Sequence, residues 1–397
     1  MSPCQLTAYT ATSCLGQGLA AHRDALLADH SGLAPCTFET VRLDTWVGEV
    51  PGVDAVVLPP SLAAYDCRNN RLAALGLETD GFGDRVREAI TRHGRDRVGV
   101  FMGTSTSGIL QTELAYRRRD PVSGALPPDF DYRHTHNSFS LADYVRAHFG
   151  LEGMALVIST ACSSSAKVFA AAARQLALGR IDAAVVGGVD SLCLTTLYGF
   201  ASLGLTSARP CRPCDIERDG ISIGEAAAFA LLERTGDTRT AGTVLLEGVG
   251  ESSDAYHMSS PHPEGLGARL AMEAALRSAG LQAGDIGYIN LHGTATPAND
   301  AAEGRAVADL FAGRVPCSST KGATGHTLGA AGGLEAVLCA MALTEGLLPG
   351  SPGTERLDPA LPVDVVRRTR PGALRHVLSN SFGFGGSNCA LVLGVVA

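Results

Sequence analysis

Positive charge is in short supply in this chain. Its 397 residues carry 32 Lys and Arg against 40 Asp and Glu, a formal net charge of −8. Without a basic surplus, nucleic acid is excluded as the main partner. Charged residues of both signs reach only 18%, while hydrophobic residues reach 45%, so the chain can bury a sizeable core. There is no apolar run of membrane-spanning length. There is also no basic N-terminal segment leading into an apolar core, which argues against secretion and for the cytoplasm. A disulfide framework is missing too. The 11 cysteines are scattered and odd in number, and they read as free thiols. Cys211-Arg212-Pro213-Cys214 has no second pair at zinc-ligand spacing and reads as incidental. His134 and His136 have no third ligand spaced to complete a site, so they read as a solvated loop, and no metal is expected.

What is present is a cysteine in a distinctive setting. The apolar segment 154–158 leads into Ser159-Thr160-Ala161-Cys162-Ser163-Ser164-Ser165-Ala166, and an Ala-rich segment runs from Ala166 to Leu178 before Gly179. This reads as strand, turn and helix. A cysteine there sits beside the positive end of a helix, where the dipole favours thiolate. It suits a nucleophile that accepts an acyl group. The competing reading is a small buried cysteine that packs like alanine. Two downstream motifs decide for the nucleophile. Asn290-Leu291-His292-Gly293-Thr294-Ala295-Thr296 is followed by Asp300 and Glu303, and Lys321-Gly322-Ala323-Thr324-Gly325-His326 is followed by Thr327-Leu328-Gly329-Ala330-Ala331-Gly332. Each histidine lies among glycines and small hydroxyl residues, where backbone can approach a ligand closely.

Strand-like and helix-like segments alternate, which favours parallel sheets with helices on their faces. The plan also repeats. Segments 97–102 and 286–291 each read as a strand entering a small-residue turn. Segments 156–179 and 315–346 each read as strand, reactive turn and helix. The two halves, 1–245 with the nucleophile and 246–397 with the histidines, meet near residue 245. The stretch from Tyr116 to His136 is a polar, Pro/Gly-rich excursion.

The three motifs in this order resemble the β-ketoacyl-[acyl carrier protein] synthases of the Cys-His-His type. The C-terminal Asn380-Ser381-Phe382-Gly383-Phe384-Gly385-Gly386-Ser387-Asn388 resembles that family's closing loop. Segments 212–215, 218–220 and 253–258 resemble it as well. Thiolases and the Cys-His-Asn initiating synthases share the fold, but the run after Gly325 is not expected in them. A chain length factor, a synthase-like partner subunit, lacks the nucleophile that Cys162 supplies.

The resemblance implies an α/β, thiolase-like five-layered α-β-α-β-α fold from two duplicated halves. It implies decarboxylative Claisen condensation of an acyl-Cys162 intermediate with a malonyl thioester, in fatty-acid or in polyketide or aryl polyene biosynthesis. Backbone N–H groups of Cys162 and Phe384 would hold the oxyanion, where one donor is worth about 10²–10³ in rate. His292 and His326 would face the malonyl carbonyl. Lys321 and Glu335 would pair to orient the His326 turn, and Asp300 and Glu303 would brace the His292 loop. Thr294 and Thr296 would bind the phosphopantetheine arm. Phe384 would act as a gate, and Thr106 would line the acyl pocket, where its hydroxyl makes a wet wall. No cofactor is implied beyond the phosphopantetheine that carries the substrates. The implied partners are an acyl carrier protein and a second subunit, in an obligate homodimer or a heterodimer with a synthase-like chain. Arg68 and Arg71 read either as a patch for an acidic carrier protein or as a solvated helix face. Ser163-Ser164-Ser165 and Ile221-Ser222-Ile223-Gly224-Glu225-Ala226-Ala227 depart from the housekeeping pattern, which points to a specialised pathway.

Overall fold

Runs of small and β-branched residues make the inner strands. Val98–Gly103 and Ala183–Asp190 are buried along their whole length, as strands covered on both faces must be. In the computed structural model, which describes residues 1–236 and 240–396, five strands of the first half lie in the spatial order Ala155–Ile158, Val98–Gly103, Ala183–Asp190, Ala226–Arg234, Cys4–Ser13. Counted along the chain, that order is 3-2-4-5-1. The second half gives Pro316–Ser318, Tyr288–Asn290, His376–Gly383, Ser387–Val395, Val244–Ser253, again 3-2-4-5-1, with the short Asp364–Val365 added outside. In both halves the 3-2 and 2-4 contacts are parallel and the 4-5 and 5-1 contacts antiparallel. The halves join where Cys4–Leu6 pairs with Val244–Leu246. The expected duplication is therefore visible strand by strand, and the second half opens at Val244.

Two helices fill the space between the sheets, Ser164–Ala177 and Ala331–Glu345. Their Ala-rich faces join residues from both sheets in one core. The approach is close: a Cβ on Gly332 would lie 2.7 Å from that of Ala166. Phe101 points into this central core, while Val98, Val100 and Met102 point into an outer one formed with Arg68–Leu77, Phe82–His93 and Ser140–Phe149. Leu266–Ala279 and Pro297–Phe311 cover the other sheet. Five layers result, as expected. One expectation needs correction. Leu328–Glu345 does have the length and apolarity of a membrane span, but 89% of it is buried, because it is the helix sandwiched between two sheets.

The excursion after Tyr116 is mostly turns. Its histidines are bonded locally, His134 to Asp131 at 2.6 Å and His136 to Thr112 at 2.6 Å. Neither reading of Arg68 survives. Its guanidinium is buried, bonded to Glu225 at 2.7 and 3.0 Å and to Asp54 at 2.8 Å. Arg71 is engaged by Asp66 through two hydrogen bonds of 2.5 and 2.7 Å. Arg68 is therefore not free for a carrier protein, while Arg71 is partly exposed beside Asp66.

Candidate active site

Cys162 follows a turn in which Ala161 takes φ +51°, a left-handed conformation uncommon for a side-chain-bearing residue. Hydroxyls hold that turn. Ser164 Oγ donates to the Ala161 carbonyl at 2.6 Å and accepts from Thr160 N at 2.9 Å, while Ser163 Oγ donates to the Thr160 carbonyl at 3.0 Å. Ser165 Oγ accepts from Gly333 N at 2.8 Å, tying the two central helices together. The serine run read as a sign of pathway thus has a structural duty. The sulfur lies just before the helix, as predicted, and is buried.

The second half delivers both histidines to the sulfur. His326 Nε2 stands 2.9 Å from Cys162 Sγ. The His292 and His326 rings meet edge to face with centroids 5.3 Å apart. The ligating atoms of Cys162, His292 and His326 all lie within 4.8 Å of one another, the one group of three potential metal ligands among the described residues. The His326 backbone is fixed by Ser222 O at 2.7 Å and by Gly224 N at 3.0 Å, so the departing segment 221–227 is what seats this histidine. On the other side, Glu303 accepts from His292 N and Gly293 N, each at 2.8 Å. Asp300 accepts from Cys214 N at 2.8 Å and Ala295 N at 3.2 Å. Cys211 and Cys214 are buried free thiols.

Lys321, one of only two lysines in the chain, contacts the Glu335 carboxylate in a fully buried pair. Burial pushes Glu335 up to about 7 against the pull of Lys321. Burial, then the Lys321 cation, hold both His292 and His326 well below the usual histidine range. Two neutral imidazoles are hydrogen-bond donors through one N–H each. Cys162 departs from the sequence expectation. Burial pushes its thiol up to about 12, against Lys321 and the Phe384 backbone N–H directed at the sulfur. The helix terminus is present, but desolvation of the thiolate outweighs it. The resting nucleophile is a thiol, and His326 is the group in reach of its proton.

A cavity of about 940 Å³, counting its open mouth, leads down to Cys162. Its walls differ in origin and character. Phe200, Leu205 and Ile221 come from the first half, while Asp254, Ser259, Thr294, Thr296 and Asn299 come from the second. Phe384 lines the cavity, and its ring lies tilted by 41° against that of Phe200, with centroids 5.5 Å apart. The turn carrying Phe384 is held by Met258 O, which accepts from Gly385 N at 2.8 Å, and by Asp254, whose Oδ1 accepts from Asn388 at 2.9 Å. The sequence motif 253–258 finds its place here. Phe200 and Asn299 carried no sequence signal of their own. Thr106 does not line this cavity. Its hydroxyl donates to Asp190 at 2.9 Å and accepts from Ser191 N at 3.2 Å.

Comparison with known proteins agrees with this geometry. Residues 79–238 match the N-terminal domain of β-ketoacyl synthases and residues 244–355 the C-terminal domain. The 3-oxoacyl-[acyl-carrier-protein] synthase 2 of Vibrio cholerae is 33% identical over 93% of this chain and 93% of its own. That of Vibrio harveyi is 35% identical over 78% of each. The ketosynthase of Xenorhabdus doucetiae, solved in complex with its chain length factor, superposes with a TM-score of 0.89 at 37% identity, covering 100% of this chain and 98% of its own. With the nucleophile and both histidines in place, the chain belongs to the β-ketoacyl synthase family as a condensing enzyme.

Proposed function

We propose that the protein is the catalytic subunit of a two-chain ketosynthase in the cytoplasm, extending polyketide-like, unsaturated or aryl-primed chains on an acyl carrier protein. The observation that carries this reading is the full-length likeness, at 37% identity, to a ketosynthase solved with its chain length factor. A second feature supports the pairing. Among the described residues no strand lies beyond Ala155–Ile158 at this end of the sheet, and Met154 and Leu156 are 41% and 38% exposed there. An unpaired apolar edge of this kind is a ready template for another chain, and we assign it to a synthase-like subunit with an obligate interface of roughly 2,000 Å² or more. Cys162 makes this chain the catalytic member and not the length factor.

In the reading we favour, Cys162 attacks the acyl thioester as its proton passes to His326 Nε2. The oxyanion faces the N–H groups of Cys162 and Phe384. Collapse expels the carrier thiol, which takes the proton back from His326. The malonyl thioester then docks with its carbonyl oxygen toward His292 and His326. With Cys162 acylated, His326 takes the tautomer with its proton on Nε2. The malonyl carboxylate leaves as carbon dioxide, and the electron pair passes into an enolate held by the N–H groups of His292 and His326. The enolate carbon attacks the acyl-Cys162 carbonyl, and collapse releases the sulfur as a thiolate, which takes up one proton from solvent. Thr294 and Thr296, bonded to one another at 2.8 Å on the cavity wall, would bind the pantetheine arm. Lys321, Glu335, Asp300 and Glu303 would hold the histidines in register. The test is intact-mass analysis after incubation with a saturated and a conjugated acyl carrier protein of equal chain length. An adduct on Cys162 that forms faster from the conjugated donor supports the reading. Absence of any adduct would leave only a non-catalytic subunit, and preference for the saturated donor would return the protein to fatty-acid elongation.

A further inference from the structure

Besides Asp300, Glu303 and Glu335, a further buried carboxylate lies close behind the triad, and no step above uses it. Asp190 ends the strand Ala183–Asp190 and is fully buried. All of its hydrogen-bond donors are neutral. Oδ1 accepts from Thr104 Oγ1 at 2.6 Å, Ser105 N at 2.8 Å, Thr106 N at 3.0 Å and Thr106 Oγ1 at 2.9 Å. Oδ2 accepts from Ser105 Oγ and from Gly329 N, the latter at 2.6 Å. The first set fixes the loop after Val98–Gly103. The last bond reaches across to the second half, three residues beyond His326. Between the two, Leu328 takes φ +52°. A leucine in the left-handed region is strained, and such a conformation persists only where its surroundings over-determine it. There is also no slack: a Cβ on Gly329 would lie 2.7 Å from Ser105 N and 2.8 Å from Asp190 Oδ2.

We propose that Asp190 is a positioning residue for condensation: it clamps the strained turn after His326 to the first half of the molecule and thereby sets the imidazole against the Cys162 sulfur. The proposal rests on the condensing reading given above. It also gives the hydroxyls of Thr104, Ser105 and Thr106 a common purpose as donors to one carboxylate.

Asp190→Asn keeps the size of the side chain but turns an NH2 group toward backbone N–H donors, so the turn must shift. A shift of about 1 Å in a catalytic group costs on the order of 100-fold. The measurement is a double-mutant cycle on malonyl decarboxylation, with Asp190→Asn, His326→Ala and the pair. Acting through His326, Asp190→Asn lowers kcat about 10- to 100-fold in the wild-type background with KM little changed, and costs nothing further once His326 is alanine. In a His292→Ala background, which spares acyl loading, its cost persists when read on the rate of Cys162 loading. Gly329→Ala, which pushes on the same contact from the other side, should give the same pattern if Asp190→Asn fails to fold. An equal cost with and without His326, or no cost at all, overturns the proposal. Loading of Cys162 in the unmutated protein, followed by intact mass, separates this failure from failure of the condensing reading itself.

Discussion

Strand three of the first half, Ala155–Ile158, runs into the Cys162 turn and then the Ser164–Ala177 helix. Strand three of the second half, Pro316–Ser318, runs into the His326 turn and then the Ala331–Glu345 helix. Cys162 and His326 thus occupy equivalent positions of a repeated unit, brought face to face by packing the two helices in one central layer. The loops after strand two differ more. In the second half this loop presents His292 to the cavity, braced by Glu303; in the first it presents Thr104, Ser105 and Thr106 inward to Asp190. Duplication supplied two frameworks, and chemistry was divided between them. The predictions below test that division.

The largest effect falls on the first-half turn. Cys162→Ala removes the only sulfur in reach of His326, and we expect complete loss of acyl loading and of condensation, read by intact mass and product formation. Cys211→Ala and Cys214→Ala, at buried thiols outside the cavity, should still load. An acyl adduct on the Cys162→Ala protein would place the nucleophile elsewhere and break the comparison.

The two histidines should then separate. Because the thiol is held up to about 12, its proton needs an acceptor, and only His326 is at 2.9 Å. His326→Ala should slow both acyl loading and malonyl decarboxylation, by about 10²–10⁴ as general acid–base groups do. His292→Ala should spare loading and lose decarboxylation. Rapid-quench loading assays beside carbon dioxide release would show it. Equal loss of loading in both variants would mean that the halves do not divide the work this way.

Much of this was legible in the sequence. Cys162, His292 and His326 stand in turns of small residues, and the repeat of strand, turn and helix pointed to two halves. The five layers were expected from the family resemblance and not from the repeat, which by itself indicates only α/β, and the convergence of the triad is visible only in the folded chain. What the sequence hid has physical causes. The thiol's state depends on burial in three dimensions, which overrides the helix terminus that the local sequence showed. Arg68 looks like a surface cation by type, yet Glu225 lies 157 residues away in the chain and only folding brings them together. Thr106 was assigned by resemblance, and the hydrogen bond from its hydroxyl to Asp190, at the end of another strand, is visible only once the chain is folded. Phe200 and Ile221 are ordinary apolar residues until the cavity is closed around them.

Lys321 sharpens the electrostatic side. Burial and then this cation keep both imidazoles neutral, and a histidine held well below its ordinary 6.5 remains neutral through mild acid. The acid limb of condensation should therefore lie below pH 6.5. In Lys321→Met the positive neighbour is gone, so imidazolium becomes easier to form and the acid limb moves upward in pH. The same change withdraws the stabilisation of the Cys162 thiolate, so iodoacetamide should alkylate the variant more slowly at every pH below about 12. A pH profile that does not move would show that Lys321 serves the fold alone.

The smallest effect concerns the two walls of the cavity. The first half supplies apolar Phe200, Leu205 and Ile221, and the second supplies hydroxyls and amides including Thr296 and Asn299 beside apolar Pro261, Pro297 and Phe382. An acyl chain gains from the first wall and a pantetheine arm from the second. Ile221→Val shortens the apolar wall by one CH2. If the acyl chain packs there, the lost contact is worth about 0.8 kcal/mol, or about fourfold in kcat/KM for acyl loading. Malonyl decarboxylation should not change, since no acyl chain is involved. Thr296→Val should do the reverse, raising KM for both carrier-bound substrates and leaving selectivity among acyl chains untouched. Steady-state loading with donors of increasing length would distinguish the two walls. An effect of Ile221→Val that is the same for acetyl and for long-chain donors would mean that the acyl chain lies against some other surface, and the apolar half of the cavity would then have no part in choosing the substrate.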